Sequence, residues 1–135
     1  MTYVPKYVLK RLIPPDSVKL EGAVLKVKVV NILMPLPLSE IPGNFLDILS
    51  VKLDGEVVLN RTMPDLYNKA SIIHNNTTYA LKDIKTINGG VMPVGDEFTI
   101  VFPNFRNFKV GETHKIEFNI DIASGVSIEF ERTIC

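Results

Sequence analysis

Apolar and polar residues take turns along THKIEFNIDI (113–122): Ile116, Phe118, Ile120 and Ile122 are interleaved with Lys115, Glu117, Asn119 and Asp121. Side chains of an extended chain point to opposite faces in turn, so this pattern makes a strand with one face buried and one wet. The same period recurs in VSIEFE (Val126, Ile128, Phe130), in EFTIVF (Phe98, Ile100, Phe102) and in AVLKVKVV, where Leu25, Val27 and Val29 oppose Lys26 and Lys28. A chain patterned this way folds into antiparallel sheets.

Turn residues agree. LSVKL and EVVL meet across Asp54-Gly55, and SIIH and TTYAL across Asn75-Asn76, so each pair predicts a tight hairpin. Gly95, Gly111 and Gly125 punctuate the C-terminal half. No window of eleven residues carries a helical stripe. TMPDLYNKA offers one short helical turn near 63–68, with Thr62 as cap and Pro64 in its first turn. The expectation is an all-β, antiparallel β-sandwich of about eight strands, a single domain over 1–135. Phe98, Phe102, Phe118 and Phe130 are expected to fill the space between the sheets.

Fifteen basic and fifteen acidic residues leave no net field to attract nucleic acid or an anionic membrane. The first residues, MTYVPKYVLKRL, lack the apolar run of a signal peptide, and nothing reaches the roughly 20 apolar residues of a membrane span. One cysteine, Cys135, permits no internal disulfide. These features predict a cytoplasmic protein.

Catalytic groups are sparse. His74 and His114 sit at strand ends on different hairpins, and neither has a neighbouring third ligand, so both are expected in surface or turn roles. Glu129 and Glu131 are two apart on an outward face, a solvated pair and not an acid–base dyad. Gly89-Gly90 leads to Pro93 and a strand, where a phosphate loop would open a helix, so a wide turn is expected. Of the rings, only Tyr67 and Tyr79 are candidates for the outside. No catalytic, cofactor-binding or metal-binding residue is assigned.

The residue pattern that fits no ordinary loop is NILMPLPLSEIPGNFLD (31–47). Pro35 and Pro37 each delete a ladder donor, leaving an extended path that throws apolar side chains to all sides. Such a stretch either plugs an open end of the sandwich or forms an apolar patch for a partner. YVPKYVLKRLIPP (3–15) has the same character. The candidate partner interface is therefore Met34, Leu36, Leu38, Ile41 and Phe45, with Tyr3 and Tyr7 beside it.

Five segments appear in order along nearly the whole chain: YVPKYVLKRLIP (3–14), LPLSEI (36–41), VKLDGEVV (51–58), IIHNNTTYAL (72–81) and VGETHKIEFNI (110–120). Together they resemble the small β subunit of bacterial C-glycoside deglycosidases, a family formerly known only as a domain of unknown function. LPLSEIPGNFLD runs longer before its strand than the LPLSxIxDIxVKVDGE form of some members. The resemblance implies an accessory subunit paired with a larger TIM-barrel α subunit in a hetero-oligomer. That complex cleaves the carbon–carbon bond of flavonoid 3-oxo-C-glucosides. It also implies that a divalent metal, manganese, and the acid–base residues belong to the large subunit. The other readings are a free-standing sandwich module that docks on another enzyme or on carbohydrate, and then a stand-alone enzyme.

Overall fold

The computed structural model describes residues 11, 13–31, 35, 38–40, 47, 49–120 and 126–135. Among these described residues, nine strands form two antiparallel sheets. In chain order they are β1 (Val18–Glu21), β2 (Val24–Val30), β3 (Leu49–Leu53), β4 (Glu56–Leu59), β5 (Ser71–His74), β6 (Thr77–Ala80), β7 (Glu97–Pro103), β8 (Thr113–Ile120) and β9 (Val126–Thr133). The first sheet has the order β1-β2-β7-β5-β6 and the second β4-β3-β8-β9. The architecture is the expected all-β sandwich. The strand missing from the expectation is β1, whose four residues give only two repeats of the alternation.

Both foreseen hairpins form, and their turn residues explain why. Asp54 (φ 52°) and Gly55 (φ 87°) both occupy the left-handed region between Leu53 and its partner Glu56. Asn75 (φ 48°) and Asn76 (φ 66°) do the same between His74 and Thr77. Two consecutive positive φ angles match the right-handed twist of the flanking strands.

The sheets meet over a first core of Val18, Leu25, Leu53, Phe108 and Ile134, against which Val27, Phe102 and Ile116 pack. Past β9 the chain continues along β1: Cys135 N–H donates to Val18 O (2.9 Å), and Leu20 N–H donates to Cys135 O (3.1 Å). One edge of each sheet is thereby stitched to the other.

The far half of the first sheet packs differently. Leu38, Ile72, Ile87, Met92 and Phe98 form a second core, joined by Leu81, Ile84, Tyr79 and Ile100. Its cover is helical, built from a turn at Leu38–Glu40 and a longer run at Leu81–Gly90. The latter is not foreseen in the sequence, where only its Gly89-Gly90 end is assigned, as a wide turn. Leu81, Ile84 and Ile87 recur every three residues, the period of a 3₁₀ turn, so all three face the core together. The run is broken at Ile87, Asn88 and Gly89, whose backbone angles are not helical.

The short helical turn foreseen near 63–68 forms as α1, Asp65–Lys69, with Pro64 at its cap position. The expected cap is corrected. Thr62 does not cap it, because Asn60 captures that hydroxyl: the Asn60 Oδ1 accepts from Thr62 Oγ1 (2.8 Å), Thr62 N–H (2.9 Å) and Met63 N–H (3.0 Å). Of the four phenylalanines, Phe102 packs on the core between the sheets and Phe98 lies under the helical turns. Phe130 is buried and stacks on a half-buried Phe118, with ring centroids 5.7 Å apart. Arg132 lies over the Phe130 ring and donates twice to Ile13 O.

Candidate functional site

The proline-rich stretch begins at Asn31, directly after β2, and Asn31 is wholly buried. A buried amide must find partners. Its main chain exchanges bonds with the loop that precedes β7: Asn31 N–H donates to Asp96 O (2.9 Å) and Asn31 O accepts from Gly95 N–H (2.8 Å). Its carboxamide donates to Met92 O (2.9 Å) and Pro93 O (3.2 Å). Asn88 Nδ2 donates to Val91 O (3.1 Å) from the loop's other end. Loop 91–96 is therefore fixed at several points. Met92 turns into the core, while Val91 and Val94 remain 42% and 54% exposed.

His74 Nε2 lies 2.8 Å from Asp96 Oδ2 and braces the same loop. The surface role expected for His74 is overturned. It shares the parity of Ile72, the innermost residue of β5, and is 6% exposed.

Leu38 is the one residue of the expected partner interface among those described, and it is 5% exposed inside the second core. Gly90 holds it there. A Cβ on Gly90 would lie 2.7 Å from Ser39 Cβ, so the turn at 38–40 sits directly on the Gly89-Gly90 bend. That contact explains the glycine at 90, where the sequence suggested only a wide turn. At 38–39 the stretch is an intramolecular plug, and the Leu38 side chain has almost no surface to offer a partner. Met34, Leu36, Ile41, Phe45, Tyr3 and Tyr7 lie outside the described residues.

A separate open cleft runs between α1 and the end of β7. Val58, Met63, Leu66 and Phe105 supply its apolar lining, with Lys69 and Arg106 as its cations. Met63 is 46% exposed there, and Arg106 is bridged to Glu56 at 2.9 Å. Tyr67 and Tyr79, the rings expected outside, are both half-buried, Tyr79 against the second core.

Close behind this cleft stands His114. Nδ1 lies 2.6 Å from Asp54 Oδ2, and Nε2 lies 3.3 Å from Glu112 Oε1. Burial disfavours the imidazolium, but the two carboxylates outweigh it and raise the His114 pKa. Asp54 is held below the usual carboxylate range by its bond with His114 and by the Lys115 N–H. Glu112 is lowered in the same direction by the Lys109 N–H and by His114. His114 is thus half-buried and tied on both nitrogens, a stronger role than the turn position expected for it. The sequence hides this trio, because Asp54 and His114 are 60 positions apart and only the β3–β8 pairing joins them.

Among the described residues, no group of three His, Cys, Asp or Glu side chains has a geometry suited to a metal ion. No described helix is long and apolar enough to cross a membrane. No protein-family model and no curated protein matches the chain.

Proposed function

We propose that this chain is the small accessory β subunit of a heteromeric C-glycoside deglycosidase. It would support a larger TIM-barrel subunit that cleaves the carbon–carbon glycosidic bond of flavonoid 3-oxo-C-glucosides in the cytoplasm. In this reading the divalent metal, manganese, belongs to the partner, where it would polarise the sugar ketone. The role of this chain is to dock and hold.

One observation supports the docking role above others: the loop pinned by Asn31 displays Val91 and Val94 to solvent at the root of the proline-rich stretch. A protein surface disposes of scattered apolar residues easily, but a rigid loop with two exposed valines flanking a proline has its ordering cost already met. Such a surface suits a permanent partner. The test is co-expression with the protein encoded beside it, followed by size-exclusion chromatography with light scattering. Co-elution as a stoichiometric complex with a TIM-barrel partner supports the reading. A monodisperse monomer that ignores this neighbour overturns it.

A second reading, a sandwich module that binds carbohydrate, draws on the cleft beside α1. Phe105 offers a ring there, and Arg106 and Lys69 offer donors. Titration with oligosaccharides that shifts the Phe105 resonances would favour it over the subunit.

A further inference from the structure

The wall of the cleft is mechanically joined to His114. Phe105 lines the cleft and meets Phe108 edge-on, with ring centroids 5.1 Å apart. Phe108 in turn meets the His114 ring edge-on at 5.0 Å. The loop that carries both phenylalanines is braced internally: Asn104 Oδ1 accepts from Phe108 N–H (2.7 Å), and Asn104 Nδ2 donates to Phe108 O (3.1 Å). Its far end is tied by Glu112, whose Oε1 accepts the Lys109 N–H (2.9 Å) and faces His114 Nε2.

From this geometry we propose that His114 is a proton-operated clasp that sets the position of the Phe105–Arg106 wall of the cleft. Protonated, the imidazolium has an N–H on each nitrogen and donates to Asp54 and Glu112 at once. Neutral, it has a single N–H. The short contact with Asp54 keeps it, since Asp54 is fixed on its other oxygen by the Lys115 N–H (2.9 Å). The longer contact loses it, and a nitrogen lone pair then faces the Glu112 carboxylate. The clasp opens on the side of the loop, and the hairpin side stays shut. The Phe108–Phe105 pair transmits the change to the cleft.

Other charges around the ring come from each element that packs on it. Arg106 and Lys109 lie on the loop itself and act on Asp54 and Glu112 respectively. Glu56, across the β3–β4 turn, is paired with Arg106. Lys115 follows on β8. Arg132 stands opposite His114 in the β8–β9 register, with its guanidinium over the Phe130 ring. The two contacting carboxylates outweigh the desolvation of the half-buried ring, so the protonated state extends above the ordinary imidazole range.

The test is a proton NMR titration of the full chain across neutral pH, following the His114 ring together with the amides of Phe105, Arg106 and Phe108. The expected result is a His114 midpoint above about 6.5, the ordinary imidazole value, with the Phe105 and Arg106 amides moving at that same midpoint. In Glu112→Gln the His114 midpoint should fall and the coupled movement of Phe105 should shrink. A His114 midpoint at or below the ordinary value overturns the proposal. So does a raised midpoint to which Phe105 and Arg106 do not respond. The titration of the unsubstituted protein is decisive by itself, whether or not the variant folds.

Discussion

The Asn31 carboxamide donates to the Met92 carbonyl at 2.9 Å across 61 positions of sequence, in the buried floor of a loop whose rim is exposed valine. This bond and its neighbour to Pro93 decide where the loop sits relative to the start of the proline-rich stretch. Asn31→Ala leaves two inward carbonyls short of a donor, which costs about 1–3 kcal/mol. The expected outcome is a lower urea midpoint with an unchanged slope and, on the proposed docking role, weaker assembly with the proposed partner. Asn31→Asp should be worse, since it aims a carboxylate oxygen at the same carbonyls. Equilibrium denaturation of both variants checks the order.

How much of this is legible in the sequence follows from the range of each interaction. Period-two alternation and the Asp-Gly and Asn-Asn turns are local signals, and they suffice for eight strands and two hairpins. Leu81, Ile84 and Ile87 carry a three-residue period too short to stand out, and Thr62 resembles a cap only until the competing Asn60 amide is set beside it. The contacts of the candidate site are a different matter. Asn31 with Met92, His74 with Asp96, and His114 with Asp54 join residues 61, 22 and 60 positions apart. Nothing in the identity of either partner announces the other, and the strand order decides which pairs meet. The proline-rich stretch is legible as anomalous, but whether a given residue plugs or docks depends on a contact such as Gly90 against Ser39.

That contact makes a sharp prediction. Gly90 has φ 89°, and an added Cβ would strike Ser39 Cβ at 2.7 Å. Gly90→Ala should therefore lose about 1–3 kcal/mol from backbone strain, with the steric clash in addition. Gly89→Ala, at φ 68° with nothing within 4 Å of its Cβ, carries only the left-handed cost of about 1–2 kcal/mol. Thermal denaturation of the two alanine variants should rank Gly90→Ala clearly below Gly89→Ala. Equal losses would mean that Ser39 moves aside freely.

Leu38 and Val94 separate folding from docking. Leu38→Ala should cost roughly 2–5 kcal/mol as a core truncation, and Leu38→Asp more, because it buries a charge among Ile72, Ile87 and Phe98. Val94, 54% exposed, should tolerate Asp within about 0.5 kcal/mol. If loop 91–96 belongs to the partner surface, Val94→Asp should weaken assembly about tenfold or more, equivalent to about 1.4 kcal/mol. Paired denaturation and binding titrations read both quantities. Normal assembly of Val94→Asp would place the seam elsewhere.

Asp54 allows the charge of the His114 cluster to be removed with little disturbance of the backbone. It sits at φ 52°, a conformation that asparagine also adopts readily, and an amide oxygen can still accept the Lys115 N–H. Asp54→Asn therefore removes the carboxylate oxygen that faces His114 Nδ1 and keeps the tie to the Lys115 N–H. The folded Asp54 pKa lies below its ordinary value, so its contribution to stability is present above that value and fades as the pH falls through the folded one. His114 has the opposite sign. Its folded pKa is raised, so its contribution is whole below the ordinary imidazole value and fades as the pH rises through the folded one. Stability from the cluster should thus peak in the mildly acidic range, between the two transitions. In Asp54→Asn both limbs should flatten: the acid limb because the carboxylate is gone, the alkaline limb because His114 has lost its nearer counter-charge. Urea midpoints measured from about pH 3 to pH 8 for the two proteins test this directly. Parallel curves would show that Asp54 holds His114 through geometry alone and that its charge contributes nothing.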